Sequence, residues 1–151
     1  MVFLVLALGS TTEEDYLKID ANVAPRIVKQ GAEGALKIKI LPRSGIKISS
    51  HPEFMIRLDK NNNYRFSKLF FTASELDFRS RQENGSIFLD FGKEVFIAFK
   101  VNEDSLIGKH AISGEVVFTA VFKDNWSIKT YQRFNADFFS QKNEELKSKR
   151  K

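Results

Sequence analysis

Between Ile112 and Phe138 the chain carries two runs of alternating character that meet at Lys123-Asp124-Asn125-Trp126. In the first, Ile112, Gly114, Val116, Phe118, Ala120 and Phe122 share one parity against Ser113, Glu115 and Thr119. In the second, Ile128, Thr130, Phe134, Ala136 and Phe138 share a parity against Lys129, Arg133, Asn135 and Asp137. A period of two is the mark of a half-buried strand, and two such runs around a short polar junction form a β-hairpin. The tip carries no reactive group.

The rest of the chain repeats the pattern in shorter pieces. Leu17 to Val23 alternates and ends at Pro25, with a brief resumption over Arg26 to Lys29. After the loop Gln30 to Gly34, Leu36 to Ile40 alternates and closes at Pro42. Ser44 to Pro52 is a turn-rich crossing, Phe54 to Leu58 a further strand, and Asn61-Asn62-Asn63 a turn from which Tyr64 to Thr72 returns. Ser74 to Gly85 is polar and aperiodic and is expected to be a loop; Ile87 to Phe91 and Val95 to Val101 are strands. Only Asn143 to Lys149 looks helical. The expected fold is therefore all-β: an immunoglobulin-like antiparallel β-sandwich of about seven to nine strands, spanning residues 11–139. Its 151 residues suffice for one core without covalent staples, and the fifteen phenylalanines are expected to fill it.

Residues 1–10 read as a signal-peptide-like remnant or leader, because Val2 to Leu8 is apolar and Ala7-Leu8-Gly9 suits a signal peptidase. The run is too short to span a bilayer, and the expected location is periplasmic or otherwise exported. Residues 140–151 form a basic tail. Its Lys142, Lys147, Lys149, Arg150 and Lys151, set against Glu144 and Glu145, supply +3 of the net +5. The remaining charge is too small for a phosphate-tracking body, so a nucleic-acid partner is not expected, while the tail offers a weak contact for anionic membrane.

The absence of cysteine excludes disulfides, thiolate metal sites and thiol catalysis. His51 and His110 are expected at a turn and a strand end rather than on a metal. Ser49-Ser50-His51 lacks a nucleophile elbow, and no glycine-rich phosphate loop occurs. Neither an enzyme nor a cofactor is expected. Asn84-Gly85-Ser86 and Asn125-Trp126-Ser127 match the glycosylation pattern without further support.

The order of these signals resembles the immunoglobulin-like N-terminal domain of the thiol:disulfide interchange protein DsbD and its relatives. The resemblance runs from about Tyr16 to Phe139 and rests on Val28, Gly31, the Leu36 to Ile40 strand, Gly45-Ile46-Lys47-Ile48-Ser49-Ser50-His51-Pro52 and Gly108 to Ala120. It implies a hairpin tip at which relatives carry two cysteines; here those places fall on Val121 and on Trp126 or a neighbour. Lys47 stands where the family has a histidine. The implied role is a protein-binding scaffold without redox chemistry, contacting another protein through Val121, Phe122, Asp124, Asn125 and Trp126. Phe66, Phe70 and Phe71 are expected either in the core or as a cap over that tip. Two alternatives stand beside this: a single-stranded nucleic-acid binder on a small β-barrel, and an accessory subunit of a thiol–disulfide exchange or electron-transfer system.

Overall fold

The computed structural model describes residues 15–51 and 54–145. The leader-like residues 1–10 and the tail cations beyond Glu145 lie outside the described residues, as does most of the expected helix; of it, only Glu144 and Glu145 are seen in helical backbone.

Twelve strands form two facing sheets and a separate hairpin. The first sheet has the order β1 (Leu17–Ala24), β3 (Glu33–Pro42), β10 (Val95–Val101), β6 (Tyr64–Phe66). The second runs β2 (Ile27–Lys29), β12 (Ser127–Gln141), β11 (Gly108–Val121), β5 (Met55–Leu58), β7 (Phe70–Thr72), with β4 (Lys47–Ile48) also on β11. In the immunoglobulin scheme β1, β3, β10 and β6 take the places of strands A, B, E and D, and β5, β11 and β12 those of C, F and G. The opening strand is shared between the sheets: Pro25 separates β1 from β2, which pairs parallel with β12 from Phe139↔Ile27 to Gln141↔Lys29. Every other strand pair is antiparallel among the described residues.

Neither sheet closes on itself, and each ends in strands of its own, so the small-barrel alternative is overturned. The physical reason is the two-sided pattern of the chain, which supplies two apolar faces that seal one dry layer between them.

That layer is built from the residues of inward parity. Leu36, Ile38 and Ile40 of β3 and Val95, Ile97 and Phe99 of β10 face Ile112, Val116 and Phe118 of β11 and Phe134, Ala136 and Phe138 of β12, all buried. Nine of the fourteen described phenylalanines are buried, so most serve packing as expected. Two aromatic clusters anchor the layer. Tyr64, Phe99 and Phe138 meet with centroids 5.2–5.8 Å apart, and Phe54, Phe78 and Phe91 with centroids 4.9–5.6 Å apart. Gly114 lets β5 approach: a Cβ there would lie 2.4 Å from the Arg57 carbonyl oxygen and 2.9 Å from Phe134.

Three local departures raise the strand count above seven to nine, the first being β4 (Lys47–Ile48) inside the expected turn-rich crossing Ser44 to Pro52. The single returning strand Tyr64 to Thr72 is two strands, β6 on β10 and β7 on β5. Tyr64 is buried on one parity and Phe71 on the other, so one straight strand cannot turn both inward, and the chain crosses between sheets at Ser67 to Leu69. The expected loop Ser74 to Gly85 contains β8 (Arg79–Glu83), which pairs with β9 (Ser86–Asp90) across Asn84-Gly85. Asn84 (φ 51°) and Gly85 (φ 83°) both hold positive φ, as a two-residue hairpin loop requires.

Substituting Gly114→Ala is expected to destabilise the domain by about 2–3 kcal/mol, because the obstructing atom is backbone. Gly34→Ala, whose Cβ would meet the movable ring of Phe99 at 2.8 Å, should cost less. Thermal unfolding of the two variants ranks them; equal midpoints would contradict the close approach of β5 to β11.

A second expectation concerns Tyr64, which is buried and donates its hydroxyl to the Ala111 carbonyl at 2.8 Å. Burial, and secondly the charge of Asp59, push its pKa up to about 12 from 10.0. The folded state then holds its proton where the unfolded state releases it, so this stabilising contribution is complete below pH 10.0 and is lost as pH rises toward about 12. Alkaline titration of tyrosine absorbance should show one of the three tyrosines ionising late, together with unfolding, and Tyr64→Phe should remove that late phase.

Candidate functional site

The tip of the β11–β12 hairpin is a three-residue loop. The Phe122 amide donates to the Trp126 carbonyl (2.8 Å), the Asn125 amide to the Phe122 carbonyl (2.9 Å), and Asn125 sits at φ 67°. A tight turn followed by one left-handed residue is a standard way to close such a loop, and asparagine tolerates that region. The Asp124 carboxylate accepts the Trp126 amide at 3.2 Å and completes the turn.

The register corrects the sequence picture in one respect. Trp126 stands opposite Phe122, outside the turn, and its indole lies against that ring (centroids 5.2 Å, planes 32° apart). Phe122 in turn meets Tyr16 edge-on at 5.4 Å, and Tyr16 meets Phe118 at 6.5 Å. Trp126 is still 58 % exposed. Val121 pairs with Ser127 on one side and Lys47 on the other. Of the places that the resemblance left open, the one facing Val121 is therefore Ser127, the neighbour of Trp126.

Phe66, Phe70 and Phe71 do not cap this tip. Phe71 is in the core, Phe70 is exposed beside Arg57, and Phe66 packs on Tyr64 and Phe99 at the other end of the sandwich. The capping rings are Phe122 and Tyr16.

Beside the tip runs an open groove of about 810 Å³, floored by Val121 and Ser127 and walled by the Gly45–Lys47 segment and the β8–β9 hairpin. Of the five expected binding residues, Val121, Phe122 and Asn125 line it, while Asp124 and Trp126 do not. Its far wall escapes sequence reasoning: Arg81, Glu83 and Phe88, with Lys47 between the walls. Glu83 bridges Lys47 and Arg81, the latter at 2.5 Å, and Lys47 Nζ lies 5.2 Å from the Phe88 ring centroid. The bond from Lys47, followed by that from Arg81, holds the Glu83 carboxyl below its ordinary range. β8 is polar on both faces and has no alternation to detect; the signal that marks it is the dipeptide Asn84-Gly85. Through these contacts Lys47 ties the crossing segment to β8.

The histidines are far from forming a centre. Ser49 Oγ donates to the His51 carbonyl at 2.6 Å rather than to its ring, and His110 stacks on Phe138 at the opposite end, its Nε2 2.7 Å from the Leu106 carbonyl. Among the described residues no three histidine or acidic side chains cluster as metal ligands would.

No known protein family matches this sequence, and no curated protein does. Solved structures share its general shape. The N-terminal periplasmic domain of ScsB from Proteus mirabilis is similar over 83 % of this chain and 47 % of its own, at 12 % identity and a TM-score of 0.47. A cohesin module from a Clostridium perfringens family 33 glycoside hydrolase is similar over 84 % of this chain and 96 % of its own, at 8 % identity and a TM-score of 0.43. The major pilin subunit BcpA of Bacillus cereus follows over 84 % of this chain and 40 % of its own, at 13 % identity and 0.39. The chain thus spans about half the length of the ScsB structure. The fold assignment rests on the sheet order and register given above.

The register at the tip is directly testable. Phe122 and Trp126 are a hydrogen-bonded pair, so Val121 and Ser127 are the adjacent non-hydrogen-bonded pair, whose Cα atoms lie about 4.5 Å apart in such ladders. Val121→Cys with Ser127→Cys should therefore oxidise within one molecule, whereas Val121→Cys with Trp126→Cys should remain reduced under the same conditions. Intact mass with and without alkylation distinguishes them, and the reverse result would displace the register by one residue.

Proposed function

We propose that this chain is a non-catalytic, exported protein-interaction module whose binding edge is the β11–β12 tip with the groove beside it. The observation that carries this reading is Trp126 at the hairpin tip, its indole lying against Phe122 while the residue stays largely exposed, with an open groove beside the tip. An aromatic ring held in place before binding loses little freedom on contact, which is why tryptophan so often anchors a partner. The groove's ion-paired wall supplies polar positions beside the tip, and the tip holds no thiol. Export is supported by the apolar run Val2 to Leu8.

The test is photo-crosslinking in the native host from position 126, with exposed Lys39 on β3 as control, followed by purification of the partner and measurement of its affinity. A partner trapped from position 126 alone should bind about tenfold or more weakly to the Trp126→Ala variant, with the unfolding midpoint unchanged. Unaltered affinity would remove the tip as the binding edge. Fractionation of the same cells should place the chain outside the cytoplasm.

A further inference from the structure

The opposite end of the sandwich carries a surface that the tip does not explain. Four of the ten exposed large apolar side chains gather there: Ile27 (54 %), Leu106 (70 %), Ile107 (56 %) and Phe139 (44 %). Their proximity follows from the pairing. Ile27 and Phe139 are direct partners, Phe139 pairs with Lys109 on its other side, and Leu106-Ile107 leads into β11 just before that pair. Ser105, one residue earlier, is pinned to this end by its hydroxyl contact with Ser140 (3.0 Å) and by Gln30, whose Nε2 donates to the Ser105 carbonyl at 2.9 Å. Exposed apolar residues scattered singly need no explanation, but a group at one end does.

The tail starts from the same place. Gln30 accepts from Asn143 through its side chain and its carbonyl (3.4 and 3.0 Å), which fixes the end of β12 beside the patch. From there the sequence continues through Lys147, Lys149, Arg150 and Lys151. The folded body at this end is close to neutral, with Arg26, Lys29 and Lys109 offset by Glu103, Asp104 and Asp137. Net attraction to an anion must come from the tail.

We propose that this end docks on an anionic lipid bilayer, Ile27, Leu106, Ile107 and Phe139 entering the headgroup layer while the tail cations supply the electrostatic hold. Two weak signals, a small apolar insertion and a polybasic segment, are what reversible membrane attachment requires. Charge decides against a second copy as the occupant. A symmetric pair meeting at this end would bring together two tails of +3 each over residues 141–151. The tip lies at the far end and stays free, so docking here does not depend on it.

The test uses the full chain with vesicles of phosphatidylcholine alone and of phosphatidylcholine mixed with phosphatidylglycerol, in low and high salt. Binding is expected to the anionic vesicles only, and to fall with salt. Replacing Lys149, Arg150 and Lys151 by Gln should weaken it on the order of a hundredfold, about fivefold per cation. The double variant Ile27→Ser with Phe139→Ser should weaken it about tenfold with its unfolding midpoint retained. Absence of binding, equal binding to neutral vesicles, or indifference to the Ile27→Ser and Phe139→Ser pair would overturn the proposal. So would self-association in sedimentation that the same pair abolishes, or a single-stranded oligonucleotide that binds as tightly as the vesicles.

Discussion

The register between β11 and β12 is the constraint from which the rest follows. Fourteen consecutive pairs run from Gly108↔Ser140 to Val121↔Ser127. A slip of β12 by one residue against β11 would turn Phe134, Ala136 and Phe138 out of the dry layer and Arg133, Asn135 and Asp137 into it. Burial of such side chains contributes about 1.5–3 kcal/mol each, and an unpaired buried charge is costlier still, so the alternative register has no route to stability. The ribbon also serves as a ruler: its turn carries Trp126, its base carries Phe139, and the two exposed features sit at opposite ends because one uninterrupted ladder separates them.

What is legible in the sequence is whatever alternates. β1, β3, β5, β10 and β12 each keep one buried parity, β11 does so except at buried Thr119, and each is readable for that reason. Two kinds of element escape. β8 buries neither face, so Arg79 to Glu83 gives no periodicity, and only the Asn84-Gly85 turn betrays it. The passage from Tyr64 to Phe71 reads as one apolar stretch until its parity is counted, because the chain changes sheets within it. Of the site, Val121, Phe122 and Asn125 are found because a hairpin must have a tip; Lys47, Arg81, Glu83 and Phe88 are not, since their meeting depends on contacts between segments far apart in the chain.

The tip itself is ordered by the same ladder. Val121 faces Ser127, and the aromatic pair Phe122 and Trp126 lies one step further out. At the far end exposed apolar side chains make a different kind of surface, so the same ribbon joins the proposed protein-binding edge to the proposed lipid-facing one.

The measurement closest to the central claim is the set of Hα–Hα nuclear Overhauser contacts across β11 and β12. Non-hydrogen-bonded pairs bring Cα atoms to about 4.5 Å and give strong contacts. They are predicted between Thr119 and Lys129, Val117 and Tyr131, and Glu115 and Arg133. Strong contacts from Val117 to Thr130 or to Gln132 instead would place the ribbon in another register and contradict the account.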